Sequence, residues 1–352
     1  MFSIDQLVRK NIASLIPYSS AREEYAGDDG IFLDANENPY NSSVNRYPDP
    51  LQVTVKNRIS RLKNINPERI FLGNGSDEPI DLLIRAFCEP GGIDNILSIK
   101  PTYGMYKVCA DINNVEFREV LLREGYQIDL KGIEQKTDAQ SKLLFLCSPN
   151  NPTSNSMHKD DIIYLLETFH GLVVLDEAYI DFSVQPSLLH EVENYPNLVV
   201  LQTFSKAWGM AGIRLGIAFA SREIVRVLNK IKYPYNINIL TQKFILERLE
   251  KENEKKLWVE KILEEREKLR LKLKALDIVD NILPSDANFL MVKFDESRKV
   301  FNYLTGKKII IRDRSHVQLC EGYLRITIGT EDENELLVEA LREFVSGQKV
   351  LQ

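Results

Sequence analysis

Residues 197–216 read NLVVLQTFSKAWGMAGIRLG, an unbroken apolar run that stops on a threonine, a serine and a lysine. An apolar run without polar alternation is how a strand buried on both faces of a parallel sheet looks. The same pattern occurs in KLLFLC (142–147) and GLVVLDEA (171–178), and in shorter form in IFLG (70–73). Helical stretches lie between these runs. In SDEPIDLLIRAF (76–87), Ile80, Leu83, Ile84 and Phe87 fall at i, i+3, i+4 and i+7, which is one face of a helix. Ser76 is placed to cap it, and Pro79 is tolerable in a first turn. Buried strands alternating with amphipathic helices predict an α/β, doubly wound sheet. In such a sheet ligands bind at the carboxyl ends of the strands, where Lys206 follows the quoted run.

Downstream the character changes. Residues 243–276 contain no Gly or Pro and are rich in Glu, Lys and Leu, which predicts one long helix or two with a solvated charged face. NFLMVKF (288–294), KIIIRDR (308–314) and YLRITIG (323–329) read as strands, and ENELLVEALREFV (333–345) as a closing helix. This is a smaller α+β domain. A length of 352 residues accommodates two domains. A net charge of -6, with no dense Lys/Arg tract, argues against a nucleic-acid surface. The first 22 residues have no continuous apolar core, and no later run approaches a membrane span. Four scattered cysteines fit reduced thiols in a cytoplasmic protein, and four scattered histidines form no metal-ligand pattern.

The chemistry concentrates where buried runs end. Lys206 stands between the hydroxyls of Thr203 and Ser205 and the guanidinium of Arg214, a combination suited to a phosphate. A lysine beside a phosphate site suits an aldehyde cofactor with a phosphate tail, since its amine can form a Schiff base and later act as general base. Alone, it would read as a surface lysine after a strand. Asp176 ends another run and can pair with a pyridine nitrogen; Tyr179 can donate to a ring oxygen. A helix-capping Asp is the plainer alternative. Asn151, in CSPNNPTSN (147–155), can donate to the same oxygen or belong to an ordinary turn. GNGSDE (73–78) opens a helix, and the N–H groups of Ser76 and Asp77 can hold a phosphate there. Tyr103, in PTYGMY (101–106), can stack on a ring or be a half-buried aromatic.

Taken in order, GNGSDE, PTYGMY, SPNNPT, DEAY, TFSKAWGMAGIRLG, ANFL and LRITIG resemble the fold-type I pyridoxal-phosphate (PLP) aminotransferases over nearly the whole chain. Within that group, PYSSAR (17–22), LDANENPY (33–40), RYPD (46–49) and LRITIGT (324–330) are similar to the histidinol-phosphate aminotransferases. The resemblance implies a large domain over residues 41–245 with a mostly parallel seven-stranded sheet. It implies a small α+β domain over 246–352 and an N-terminal arm over 1–40 packing on the small domain. By the same likeness Lys206 carries PLP, Asp176 pairs with its ring nitrogen, Tyr179 and Asn151 hold the ring oxygen, and Tyr103 stacks on the ring. The amides of Ser76 and Asp77, with Thr203, Ser205 and Arg214, hold the phosphate. Tyr47 reaches the cofactor phosphate of the neighbouring subunit, which implies a homodimer. Arg325 and Arg312 grip the substrate's anion, and Tyr18 and Asn36 line its pocket.

The implied reaction is reversible amino transfer between L-histidinol phosphate or imidazole-acetol phosphate and 2-oxoglutarate or glutamate. Amino transfer to aromatic substrates, threonine-phosphate decarboxylation and a non-catalytic PLP sensor are the competing readings. Ser154 stands where the family pattern has Gly, so a positive φ there would be strained. Arg314, two residues from Arg312, competes with it for the inward position.

Overall fold

The computed structural model describes residues 4–18, 30–41 and 43–350, with side chains to residue 347. Its larger sheet has seven strands: β1 (Ile70–Asn74), β2 (Asn95–Lys100), β3 (Glu116–Leu121), β4 (Ser141–Cys147), β5 (Leu172–Asp176), β6 (Leu198–Thr203) and β7 (Leu215–Phe219). They lie in the order β1-β7-β6-β5-β4-β2-β3. The β6–β5–β4–β2–β3 pairs are parallel, and β7 runs antiparallel to both β1 and β6. The quoted runs form the centre of the sheet, and their residues divide by period two. Leu144, Leu146, Val173, Leu175, Leu198 and Val200 join one core. Leu143, Phe145, Leu172, Val174, Val199 and Leu201 join the core on the opposite face. Burying each such side chain contributes roughly 1.5–3 kcal/mol, which is why both faces must be covered by helices. The helix Asp77–Phe87 does this with Ile80, Leu83, Ile84 and Phe87, none of them exposed.

The antiparallel β7 follows from its connection. Residues 204–214 turn the chain straight back, closed by Phe204 N–H donating to Leu215 O at 3.1 Å. So short a return cannot hold a crossover, and only an antiparallel neighbour is reachable.

A second sheet has the order β10-β11-β9-β8, with all its pairs antiparallel. Its strands are β8 (Val279–Ile282), β9 (Phe289–Phe294), β10 (Arg312–Asp313) and β11 (Tyr323–Thr327). Helices Glu252–Lys274, Ser297–Gly306 and Glu331–Val350 supply Leu273, Leu304 and Leu341 to the core beneath it. Residues 243–276 therefore divide between two helices, Ile239–Leu249 and Glu252–Lys274. The first sends Ile245 and Leu249 into the core of the large sheet.

One expectation is corrected. The strand expected over 308–314 shrinks to Arg312–Asp313, because Lys308 takes φ 63° and Ile310 is exposed, so no ladder starts before Arg312. The start of the expected N-terminal arm, residues 4–9, packs on the large domain. Ile4 and Val8 enter the core of the large sheet beside Phe87 and Leu228, and Arg9 donates to Arg85 O and Glu89. The apolar side chains of residues 4–12 find their partners there. No helix among the described residues is long and apolar enough to cross a membrane.

The helix Val53–Lys63 buries a lysine, Lys56, next to Lys232. Burial, then the Lys232 charge, push its ammonium down to about 8 from 10.5, with Asp49 opposing. The folded chain thus holds this proton less tightly than the unfolded chain. The cost, on the order of 3 kcal/mol, is fully present below the folded value and is relieved as pH rises towards the unfolded one. Lys56→Met is expected to raise Tm by a few degrees at neutral pH. The gain should shrink between pH about 8 and 10.5, as thermal melts across that range would show.

Candidate active site

The carboxyl ends of β4, β5 and β6 open on a cavity of about 380 Å³. Its lining includes Ser76, Asp77, Tyr103, Asn151, Asp176, Tyr179, Thr203, Ser205, Lys206, Arg214, Arg312 and Arg325. Twelve side chains expected from scattered motifs therefore meet in one place.

Asp176 lies at the floor, 3% exposed. It accepts from Tyr106 Oη at 2.7 Å and from Ala178 N–H at 3.0 Å. Burial pushes its carboxyl up, and these two donors pull it back. A cationic ring nitrogen would supply the compensation that the apolar surroundings withhold. The Lys206 ammonium sits 5.5 Å from the Tyr179 ring centroid. Burial first, then Arg325, hold it below its ordinary range, so it keeps its proton less tightly than an exposed lysine does. Burial pushes the Tyr179 phenol up, keeping it a donor.

On one side the helix Asp77–Phe87 presents its amino end at Ser76 and Asp77. Ser76 holds the N-cap position without a side-chain capping bond, so it leaves the first-turn N–H groups to other partners. Arg214 lies opposite, 3.7 Å from Asp77. Gly75 has φ +69°, and a Cβ there would stand 2.6 Å from the Arg214 guanidinium. Gly216 is equally constrained, since its Cβ would meet the Gly75 backbone at 2.3 Å. The chain thus keeps open a cradle of hydroxyls, amides and a guanidinium, a donor set that fits a phosphate. Tyr103 stands edge-on to Tyr106, and its hydroxyl donates to Asp77 at 3.0 Å.

At the other side, Arg325 Nη1 donates to Asn151 Oδ1 at 2.5 Å, which leaves the Asn151 amide nitrogen for a further acceptor. Arg312 and Arg314 both line the cavity, so the sequence-level choice between them does not arise. Ser154 takes φ 66° and is fully buried. Left-handed backbone costs a serine roughly 1–2 kcal/mol. Its hydroxyl offsets part of this with its one proton, which Thr153 O at 2.6 Å and Pro284 O at 3.0 Å share or compete for.

A family model described as "Aminotransferase class I and II" matches residues 28–341. The chain belongs to that family. These aminotransferases are PLP-dependent, and the lysine, buried carboxylate and phosphate cradle fit that cofactor. A curated relative from Parabacteroides distasonis, named histidinol-phosphate aminotransferase, is 54% identical over 98% of this aminotransferase and 99% of its own length. The crystal structure of the histidinol-phosphate aminotransferase from Clostridium acetobutylicum superposes with TM-score 0.79 at 25% identity, covering 86% of this chain and 92% of that one. An L-threonine-O-3-phosphate decarboxylase from Porphyromonas gingivalis has TM-score 0.74 at 22% identity, over 86% and 91% of the two chains, a likeness of fold alone.

Three expected residues are not brought to the cavity. Tyr18 and Asn36 are exposed and do not line it. Residues 30–41 fold back mainly on their own neighbours, through bonds such as Arg46 to Phe32 O and to Glu37. Tyr47 is also outside, 49% exposed and stacked on Tyr235 at 4.4 Å. Ser19–Arg22 of the PYSSAR motif lie outside the described residues.

Two residues of this aminotransferase escaped the sequence reading. Tyr106 is fully buried, stacked on Phe145, and orients Asp176. Tyr106 sits in the first turn of the helix Met105–Ile112, just after Tyr103, and the PTYGMY motif holds both. Glu177 is buried behind the site and accepts from Ser187 Oγ, Leu188 N–H and Gln202 Nε2. It ties the ends of β5 and β6 together, and nothing in DEAY distinguishes it from a solvated acid.

Proposed function

We propose that this chain is a histidinol-phosphate aminotransferase, moving an amino group between L-histidinol phosphate and 2-oxoglutarate with glutamate as the other donor. The observation that carries the reading is the single cavity itself. It places a lysine with a lowered pKa and a buried carboxylate beside one phosphate cradle, and a second cationic wall on the far side. The family, the name shared by near-full-length relatives and this second anion site support it together.

Bound PLP supplies an aldehyde carbon for the amine and a ring that takes up the electrons of the broken Cα–H bond. Lys206 would hold the cofactor and, as a free amine, would carry the proton of the substrate carbon. Asp176, fixed by Tyr106 and Ala178, would pair with the ring nitrogen. Asn151 and Tyr179 would donate to the ring oxygen. Ser76, Asp77, Thr203, Ser205 and Arg214 would hold the cofactor phosphate, and Tyr103 would stack on the ring. Arg325 and Arg312 bind the substrate anion, a carboxylate in one half-reaction and a phosphate in the other.

Tyr47 acts across a homodimer in this reading, while Tyr18 and Asn36 are substrate-pocket positions. Exposed Ile31, Leu33, Tyr40 and Tyr233 beside them are apolar surface that a second copy would cover. The boundary between the two domains falls at the break between helices Ile239–Leu249 and Glu252–Lys274. Four free, buried cysteines suit a reducing cytoplasm.

The test is a set of half-reactions with pure holoenzyme. L-Histidinol phosphate and L-glutamate should each discharge the visible cofactor band without CO2 release. Release of CO2 from threonine phosphate would favour decarboxylation instead, and selective reaction with aromatic amino acids would favour the aromatic aminotransferase. Arg325→Leu should weaken both donors, by roughly 2–5 kcal/mol each for loss of a charge-assisted, partly buried contact. If only glutamate binding suffers, the phosphate is held by other residues.

A further inference from the structure

The small sheet carries three arginines on one face, and the register explains how. Arg312 of β10 stands directly opposite Arg325 of β11. Residue 314 is two further along, and Arg314 N–H donates to Tyr323 O at 3.1 Å, continuing the same ladder. Side chains alternate along a strand, so Arg312 and Arg314 face the same way, and all three guanidinium groups line the cavity. Asp313 between them turns to the opposite face, where it bonds Ser315 and lies 3.4 Å from Arg298.

Like charges directly opposite on paired strands are destabilising. Here no carboxylate offsets them: among the described residues none of the three arginines is in an ion pair. Arg325 has Asn151 as a neutral acceptor. Arg314 has less, since its Nε is buried without a hydrogen-bond partner. Burial, then the charges of Arg325 and Arg312, hold its guanidinium below the ordinary range. An arrangement of three cations this costly, on one wall of an open cavity, persists where an anion completes it.

We propose that Arg314 is a specificity residue that reads the second negative charge of a phosphomonoester, beyond what Arg312 and Arg325 need for a carboxylate. A phosphate monoester carries about -1.5 to -2 charge at neutral pH with a second pKa near 6, and a carboxylate carries one charge. Two arginines suffice for the second ligand, and a third cation adds most to the first. The assignment rests on the proposed histidinol-phosphate activity for its substrate but not for its anion chemistry.

The experiment compares wild-type and Arg314→Gln holoenzymes in three measurements. For the half-reactions, kcat/KM with L-histidinol phosphate should fall by about 30-fold or more, and by at least roughly tenfold more than with L-glutamate. For the pH profile, wild-type KM for histidinol phosphate should rise as pH drops below about 6, where the dianion takes up a proton, and this rise should flatten in the variant. Arg314→Lys, which keeps the charge, should recover part of the loss. Equal losses for both donors, or an unaltered pH profile, would overturn the proposal and leave Arg314 a structural residue. The third measurement is competitive inhibition of the glutamate half-reaction by inorganic phosphate, expected to weaken in Arg314→Gln. It separates the two ideas. A wild-type enzyme inert to histidinol phosphate removes the functional reading, whereas phosphate inhibition unchanged by the substitution removes the role of Arg314.

Discussion

Lys206→Ala holoenzyme is expected to lose turnover by at least roughly 10²–10⁴-fold, the range for removing a positioned general base, with loss of covalent attachment added to that. Borohydride treatment of the wild type should fix the cofactor to the peptide containing Lys206, and the variant should release cofactor on denaturation. The choice of this lysine is geometric. Lys56 and Lys63 are also held below the ordinary lysine range by burial. On that criterion alone either would be a candidate. Neither lines the cavity, and Lys206 does, with Asp176 and Tyr179 around it. The direction of its shift matters as well. Burial and Arg325 lower the affinity of Lys206 for a proton, so a larger share of the amine is free to attack at neutral pH. Within the cavity Asp176 and Asp77 oppose this, and Arg214 adds to it. Label recovered on the peptide of Lys56, Lys63 or any other lysine would sink the assignment.

Much of this was legible because buried parallel strands have few alternatives. KLLFLC, GLVVLDEA and NLVVLQTF could hardly be anything but the sheet centre, and the residues that follow each run were bound to share one edge. Lys206, Asp176 and Asn151 were found for that reason. β3 was harder: EFREVL mixes three charged residues with three apolar ones without strict alternation, as an exposed edge strand can, and reads equally well as a loop. β8 is four half-exposed residues held by pairing to β9, which no local pattern reveals. KIIIRDR misled because its isoleucines resemble a strand core, while the positive φ at Lys308 breaks the run. Where residues 4–12 dock is not legible either, because an amphipathic segment announces that it packs, not where. Tyr106 and Glu177 stayed hidden for a related reason. Their roles depend on partners seventy and twenty-five residues away, Asp176 and Gln202, and such distant pairs exist only once the strands are aligned.

Mixing two inactive variants is expected to restore activity. Tyr47 lies outside its own chain's cavity, stacked on Tyr235 and half exposed, and its backbone N–H donates to Glu37 at 2.5 Å. The RYPD segment is therefore built firmly, through Glu37 to Arg46 and Tyr47 and through Asp49 to the helix at Val53, yet its tyrosine is not among the residues lining the cavity of the same chain. A rigid mount facing outward is what a residue reaching into a neighbour's phosphate cradle needs. Tyr47→Asp replaces a hydroxyl donor with a repelling anion, so the homodimer should be nearly inactive, as should Lys206→Ala. When the two are unfolded and refolded together, about half of the dimers are mixed by random pairing. In each mixed dimer the Tyr47→Asp chain keeps its own Lys206 and receives an intact Tyr47 from the other chain, so one site is whole and the second carries both lesions. Roughly a quarter of wild-type activity should return, measured as the glutamate half-reaction. If Tyr47 served its own chain's site, no mixed dimer would contain a whole site, and activity would stay near zero. If Tyr47 were only a loop residue, the Tyr47→Asp homodimer would be active before any mixing.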